Sequence, residues 1–269
     1  EKVVSSSQAK QIIRVNRQID PTLLKLNQQG FLNGHTPFSA YLSFLSWLVA
    51  YLFNYDQILV ANERSANQEN LLYQGKKINH QYSKSFEYEQ NFRQYQAQSV
   101  INQIEYLSFL RPWYELQIAE AFSKFDRYHH LFKSCNQGQK QGLWCHHCPK
   151  CLFVFTLLYP FIETDKLTSQ VFNQNLFEDK SLSQTALDWI DAGDKKPFEC
   201  VGTFEETQAA FYLALNKAQL RRSDLPPVLQ AVKPHLEQIE NIEQQTQQIL
   251  NSWNPNHNLS PELAQLLKS

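Results

Sequence analysis

The sequence predicts an α/β protein with a parallel sheet and flanking helices, on three observations. An apolar segment at residues 38–53 is followed, after a short polar turn, by the apolar run "QILVAN" at 57–62; helix followed by strand is the unit from which parallel sheets are built. Glycine is scarce, 7 in 269 residues, so few tight turns punctuate the chain and helices should dominate. Aromatic residues make up 13% of the chain, which suits a packed core and not a disordered chain. A chain of this length can bury such a core without disulfide staples.

Taken in order, residues 1–11 are polar and read as a tail or connector. Ile12 to Val15 suit a short strand, and Asp20-Pro21 supplies an N-cap and a first helical residue. Pro37 opens the apolar segment 38–53. That segment is shorter than the roughly 20 residues of a membrane span and carries Ser39, Ser43 and Ser46. Being apolar almost all round, it is expected as a buried core helix. Residues 63–89 form a long polar stretch with few turn formers, of the kind that often carries function. A helix is expected over 92–109, ended by Arg111-Pro112, then an amphipathic segment at 113–125 and a further strand at 128–135. Pro149 opens a second buried helix over 149–162. The helix at 183–193 should end on Gly193 as its C-cap. Thr203 and Glu206 form a capping box for a helix reaching Ala218, and the chain from Asp224 onward is helical. The expected division is an α/β portion at 1–165 and a mainly helical region at 166–269.

Net charge is −1, so no global basic field exists to hold nucleic acid or an anionic membrane, and neither is an expected partner. No signal-peptide pattern opens the sequence. Four of the five cysteines crowd between Cys135 and Cys151, which reads as a metal site in a reducing compartment and not as a secreted disulfide framework. A cytoplasmic protein is expected. The sequence has no methionine and begins at Glu1; a fragment, a processed chain or a sequence with residues omitted would each account for that.

Cys135, Cys145, Cys148 and Cys151 have the spacing C-x9-C-x2-C-x2-C. Four thiolates satisfy tetrahedral Zn2+, and the short loops let the last three converge on one ion. Four metal-free thiols and an iron–sulfur cluster are the competing readings. His146 and His147 could also ligate, although four cysteines suffice. Cys200 stands apart and reads as an ordinary thiol.

Three polar segments are candidates for chemistry. "NGHT" places Asn33, His35 and Thr36 before an apolar helix, where free amides suit a phosphate or carboxylate. "NERSAN" places Glu63, Arg64, Ser65 and Asn67 at the carboxyl end of the predicted strand, the edge at which open α/β sheets bind ligands. There Glu63 suits Mg2+ and Arg64 suits a phosphate or carboxylate. "INHQYSKSFEYE" gathers Asn79, His80, Ser83 and Lys84, and His80 and Lys84 suit proton transfer. Arg111 suits an anion contact or a plain surface cation. Each segment also reads as a hydrated turn. No glycine-rich phosphate loop is present.

Together these segments resemble the bacterial UDP-N-acetylmuramoyl-L-alanyl-L-glutamate epimerase family. The resemblance runs from Arg17 to Glu206 through "RQIDPTLLKLNQQGFLNGHTPFSA", "ILVANERSANQ", "INHQYSKSFEYE", "FLRPWYELQIAEAF", "FKSCNQGQKQGLWCHHCPKCLFVF" and "KPFECVGTFEE". It implies kinship with the ATP-pyrophosphatases, and so an adenine-nucleotide-hydrolase-like sheet. It also implies a UDP-muramoyl dipeptide substrate, ATP with Mg2+ as co-substrate, and a structural Zn2+. ATP would adenylate the terminal carboxylate and release pyrophosphate. The Cα–H would become more acidic, a base would remove the proton, another would return to the opposite face, and hydrolysis would free product and AMP. On this reading Asn33, His35, Thr36, Arg64, Ser65, Asn67, Asn79, Ser83 and Arg111 bind substrate or phosphate. Glu63 binds Mg2+, and His80 or Lys84 transfers the proton, with Cys200 as a second choice. The family's amino-terminal ATP loop of Ser-Gly-Gly-Lys-Asp-Ser type is absent, so a missing segment of the same full-length protein would supply it. The rival readings are another ATP-pyrophosphatase-type ligase, amidase or nucleobase- or tRNA-modifying enzyme, and a non-catalytic zinc-bearing interaction module.

Overall fold

The computed structural model describes residues 2–32, 37–69, 71–99, 104–190, 202–221 and 224–268. Helix α1 (Pro21–Gln28) begins as its sequence predicts. The Asp20 carboxylate accepts the Thr22 amide at 2.7 Å, and Pro21, which has no amide to leave unpaired, takes the first helical position. The extended residues before it enter no described sheet, so the strand expected at 12–15 does not form. Helix α2 (Phe38–Leu52) and strand β1 (Gln57–Val60) follow as predicted. Burial of α2 does not: only its Ser43 and Ala50 are buried, while Phe44, Leu48, Tyr51 and Leu52 are exposed.

The polar stretch at 63–89 holds more structure than its composition promises. A single 3-10 turn, Arg64–Asn67, leads to a hairpin of β2 (Leu71–Tyr73) and β3 (Lys76–Ile78). Its two-residue turn places Gln74 and Gly75 at φ 49° and 73°, the left-handed pair that matches the strand twist. Helix α3 (Phe86–Ser99) starts earlier than predicted because the Ser85 hydroxyl accepts the Tyr88 amide at 3.1 Å. It also ends earlier. Residues expected in its last turns form β4 (Glu105–Ser108) instead, which runs parallel to β1 with Ile58 opposite Tyr106 and Val60 opposite Ser108.

The rest is helical: α4 (Glu115–Ser123), α5 (Pro149–Leu158), α6 (Ser183–Ile190), α7 (Phe204–Gln219), α8 (Pro227–Leu236), α9 (Ile242–Leu250) and α10 (Pro261–Lys268). The strand expected at 128–135 is absent; Asp126–His129 is one helical turn, followed by a loop to Cys135. Helix α5 is buried from Cys151 through Leu158 and forms the centre of the main core with α4, α7 and the Phe172 and Phe177 rings. Lys217 of α7 donates to the carbonyls of Tyr159 and Ile162 at 2.7 and 2.6 Å, which satisfies acceptors beyond the end of α5. Among the described residues no helix is long and apolar enough to cross a membrane. Gly193, expected as a C-cap, lies outside the described residues.

The predicted capping box is present, and it does more than close one helix. Thr203 Oγ1 accepts the Glu206 amide at 3.1 Å, and the Glu206 carboxylate accepts the Thr203 amide at 2.9 Å. The same carboxylate accepts the Leu116 amide at 3.4 Å in the first turn of α4, so one buried acid serves two helix starts. Burial pushes Glu206 up to about 7; the backbone donors of Thr203, Leu116 and Glu115 pull the other way, and the charge of Glu63 adds to the rise. The folded chain therefore holds a proton here that the unfolded chain, at its ordinary value of 4.5, has released. Stability should fall as pH rises from about 4.5 to about 7 and then level off. Replacing Glu206 with Gln should flatten that slope, read from denaturant unfolding of both proteins at a series of pH values.

Candidate active site and metal centre

Because β1 and β4 are parallel, the loops that leave them meet at one edge. Arg111, in the loop after β4, is fully buried and joins that edge together. Its guanidinium donates to the Glu63 carbonyl at 2.8 Å, to the Lys84 carbonyl at 2.6 Å and to Ser108 Oγ at 3.0 Å, and lies 3.4 Å from Glu89 Oε2. Burial disfavours the charge on Arg111, and the carboxylates of Glu89 and Glu63 oppose that pull. Glu89 is itself buried, and its other oxygen accepts Asn258 Nδ2 at 2.6 Å from the carboxyl-terminal stretch. Arg111, expected to contact an anion, thus has no exposed surface and binds carbonyls of the protein.

Two asparagines add to the joint. Asn67 Oδ1 accepts the Phe86 amide at 2.6 Å while its Nδ2 donates to the Arg64 carbonyl at 3.1 Å. Asn79 Nδ2 donates to the Ala66 carbonyl at 2.8 Å, and its Oδ1 accepts the Gln81 amide at 2.7 Å. The 62–67 and 79–87 segments therefore form one assembly at the strand tips. Glu63, His80, Ser83 and Lys84 are half-buried on it, with Lys84 Nζ donating to Gln81 Oε1 at 2.9 Å. The Ser65 hydroxyl and Arg111 Nε are buried without a hydrogen-bond partner among the described residues. Asn33, His35 and Thr36, the third expected segment, lie outside the described residues, as does Cys200.

Arg64 faces the helical half. Its guanidinium stacks on the Tyr114 ring at 4.3 Å and donates to Ser252 Oγ at 3.4 Å. It lines an open cavity of about 440 Å³ with Tyr114, Glu205, Gln245, Gln248 and Ser252. One cation, a phenol, a carboxylate and two amides around one space can recognise a polar ligand bearing an anionic group.

The four cysteines converge as their spacing predicts. All four sulfurs lie within 4.8 Å of one another, at 3.9 Å for Cys135–Cys148, 3.8 Å for Cys145–Cys151 and 3.4 Å for Cys148–Cys151. Zinc–sulfur bonds of about 2.3 Å put tetrahedral sulfurs about 3.8 Å apart, so the set can hold a metal ion such as zinc. Backbone amides aim at the sulfurs: Gly138 and Cys145 donate to Cys135 Sγ at 3.0 and 3.3 Å, and Cys148 donates to Cys145 Sγ at 3.3 Å. Burial raises the Cys135 thiol, but the amides of Gly138, Cys145 and Gln137 outweigh it and bring it down to about 6. Gly138 is required here, since a Cβ would run into the Leu143 carbonyl oxygen. His146 and His147 turn away: His146 Nε2 meets the Phe172 carbonyl, and His147 bonds the Cys145 carbonyl and Gln137.

The family model described as MurL N-terminal domain matches residues 1–109, and the one described as MurL C-terminal domain matches residues 131–247. The chain belongs to the MurL family. It is similar to three proteins named UDP-N-acetyl-alpha-D-muramoyl-L-alanyl-L-glutamate epimerase. The one from Xanthomonas oryzae pv. oryzae is 37% identical over 214 residues, covering 77% of this chain and 47% of the relative. The one from Micromonospora sp. is 36% identical over 224 residues, covering 82% and 49%. The one from Salinispora tropica is 37% identical over 205 residues, covering 75% and 45%. This MurL chain thus spans about half the length of the curated relatives it matches. No solved structure matches it.

The strand-tip cysteine-free half and the cysteine cluster fall in the two different MurL matches. Tyr114, Glu205, Gln248 and Ser252 were not foreseen as cavity residues. Glu205 and Tyr114 sit inside motifs that carry the resemblance, whereas Gln248 and Ser252 reach the cavity only through packing of α9. Arg111→Met should leave Glu89 buried without a counter-charge and lower stability by about 3–5 kcal/mol. Arg111→Lys should recover only part of that, because one ammonium cannot reach four acceptors in a fork. Denaturant midpoints at pH 7 measure both.

Proposed function

We propose that this chain carries the substrate-side half of an ATP-dependent epimerase that inverts the terminal L-glutamate of UDP-N-acetylmuramoyl-L-alanyl-L-glutamate to D-glutamate, in the cytoplasmic synthesis of peptidoglycan precursors. The observation that carries this reading is the joining of the 62–67 and 79–87 segments at the carboxyl ends of a parallel strand pair, in a member of the MurL family. Ligands in open α/β sheets bind at that edge, and an adenine-nucleotide-hydrolase-like sheet is the fold we infer for the whole protein.

ATP, when bound with Mg2+, supplies the adenylate that removes the negative charge from the glutamyl carboxylate and so makes the adjacent Cα–H acidic. The fit rests on the donors present. Ser65 offers a buried hydroxyl without a partner among the described residues, Glu63 a half-buried carboxylate for Mg2+, and Arg64 a cation facing an open cavity. Arg64, Tyr114 and Gln248 would orient the anionic dipeptide. His80 or Lys84, on the turn that Arg111 and Asn79 hold in place, would take the proton from Cα on one face, and a second group, for which Cys200 is the further choice, would deliver one to the opposite face. Asn67, Asn79 and Arg111 are positioning residues in this scheme. Ser83, Asn33, His35 and Thr36 keep the phosphate or substrate contacts that the family resemblance assigns. The residues at 1–165 would form the α/β portion and those at 166–269 the helical one.

The four cysteines would hold a structural Zn2+, since four thiolates leave no open position for substrate or water. Purified protein should contain about one zinc per chain, and Cys151→Ser should lower both zinc content and thermal stability. Less than half an equivalent of zinc, with no iron, would remove the assignment. For the reaction, the chain joined to the part of the Xanthomonas relative that lies outside the match should place deuterium at the glutamyl Cα from D2O when given dipeptide, ATP and Mg2+. His80→Gln should abolish that exchange. Unchanged exchange would transfer the role to Lys84, and pyrophosphate release without isotope uptake would point to a ligase or amidase instead.

A further inference from the structure

Strand β1 has an open edge. The carbonyls of Asp56 and Val60 accept the amides of Glu105 and Phe109 at 2.8 and 2.7 Å. Strand alternation therefore turns the backbone groups of Gln57 and Leu59 to the opposite side. No described strand pairs with that side, and the Leu59 side chain is 48% exposed. Alongside runs a groove of about 640 Å³ walled by β1, by Leu42, Leu45 and Val49 of α2, and by the extended residues Ile13 and Val15. On other sides of α2, Phe44, Leu48 and Leu52 are exposed.

This combination is unusual for a finished fold. Parallel sheets occur almost only with both faces covered, most sheets have four to six strands, and a bare apolar edge is a template for misassociation. The relatives supply an occupant, because about half of each lies outside the match. A second copy of this chain fits less well: two copies related by a two-fold axis would bring β1 against β1 antiparallel, on a sheet whose one pairing is parallel.

We propose that the open edge of β1 is filled by a parallel β-strand from the part of MurL relatives that lies outside the match, with apolar side chains from that part lying in the groove against α2. The added strand runs with β1. Its carboxyl end therefore comes out beside Asn62, at the same edge as the Glu63–Asn67 and Ser108–Arg111 loops. The inference concerns strand pairing alone and holds whatever reaction the site performs.

Hydrogen exchange read by mass spectrometry at single-residue resolution tests it. The 269-residue chain is compared with the same chain joined to the part of the Xanthomonas relative that lies outside the match. The Gln57 and Leu59 amides should slow by at least ~100-fold on joining, while those of Ile58 and Val60, already facing β4, should change far less. Leu59→Pro should leave the unfolding midpoint of the chain alone nearly unchanged, since it removes an amide on a free edge, and should destabilise the joined protein. If Gln57 and Leu59 exchange equally fast in both forms, the proposal falls. Protection that appears in the chain alone and grows with its concentration would assign the edge to a second copy and overturn it as well. Should the joined segment itself stay unprotected, the aligned amides of the intact Xanthomonas protein decide, and fast exchange there sinks the idea.

Discussion

One buried cation organises the strand-tip half of this protein. Arg111 reaches the Glu63 carbonyl in the loop after β1 and the Lys84 carbonyl in the turn before α3, while Glu89 balances its charge. Glu63 and the Lys84–Glu89 stretch lie on separate parts of the chain, which Asn67 and Asn79 also tie together. A guanidinium suits the task because its planar fork keeps several donors in fixed directions and cannot lose its charge. A leucine of similar volume would leave two carbonyls and one carboxylate oxygen buried and unpaired, which costs far more than the packing would return. The cost of burying the ion is thus tied to the ordering of loops that carry Glu63, His80 and Lys84.

The helical half is organised by a different buried group, the Glu206 carboxyl between the starts of α4 and α7. Its neighbour Glu205 and the Tyr114 cap of α4 line the cavity that Arg64 enters. The cavity therefore has one wall from the strand loops and another from helix termini, and its shape depends on both buried groups. The cysteine cluster stands behind this arrangement: Cys148 is the N-cap of α5 and Cys151 lies in its first turn, so an ion held there would anchor the most buried helix of the core.

Features that depend on neighbours in sequence were legible in advance. The Asp20-Pro21 start, the Thr203–Glu206 capping box and the convergence of four closely spaced cysteines each follow from a few adjacent residues. Strand β1 was legible because a turn isolates it. Strand β4 was not: "EYLS" is too short to show a period, and the helix pattern before it runs straight into it. The exposure of α2 ran against its composition, because burial of an apolar helix depends on what lies beside it and not on its own residues. Arg111 could be recognised as special, but whether it meets a ligand or the protein depends on Lys84 and Glu89, which only tertiary structure brings near. Gln248 and Ser252 carry no local signal at all.

Asn258 reaches back across 169 residues to Glu89. A ribosome releases these two groups in order, so the ion pair of Glu89 and Arg111 emerges long before the amide that completes it. Until then Glu89 has an unanswered oxygen, and water must serve it. Contacts of such long sequence separation form late because the loop entropy between their ends is paid first. Newly made protein thus passes through a stage in which the strand-tip loops are joined but not yet sealed. Proteases and chaperones would meet that stage, and never the finished molecule, whenever translation stalls before Asn258 has cleared the exit tunnel.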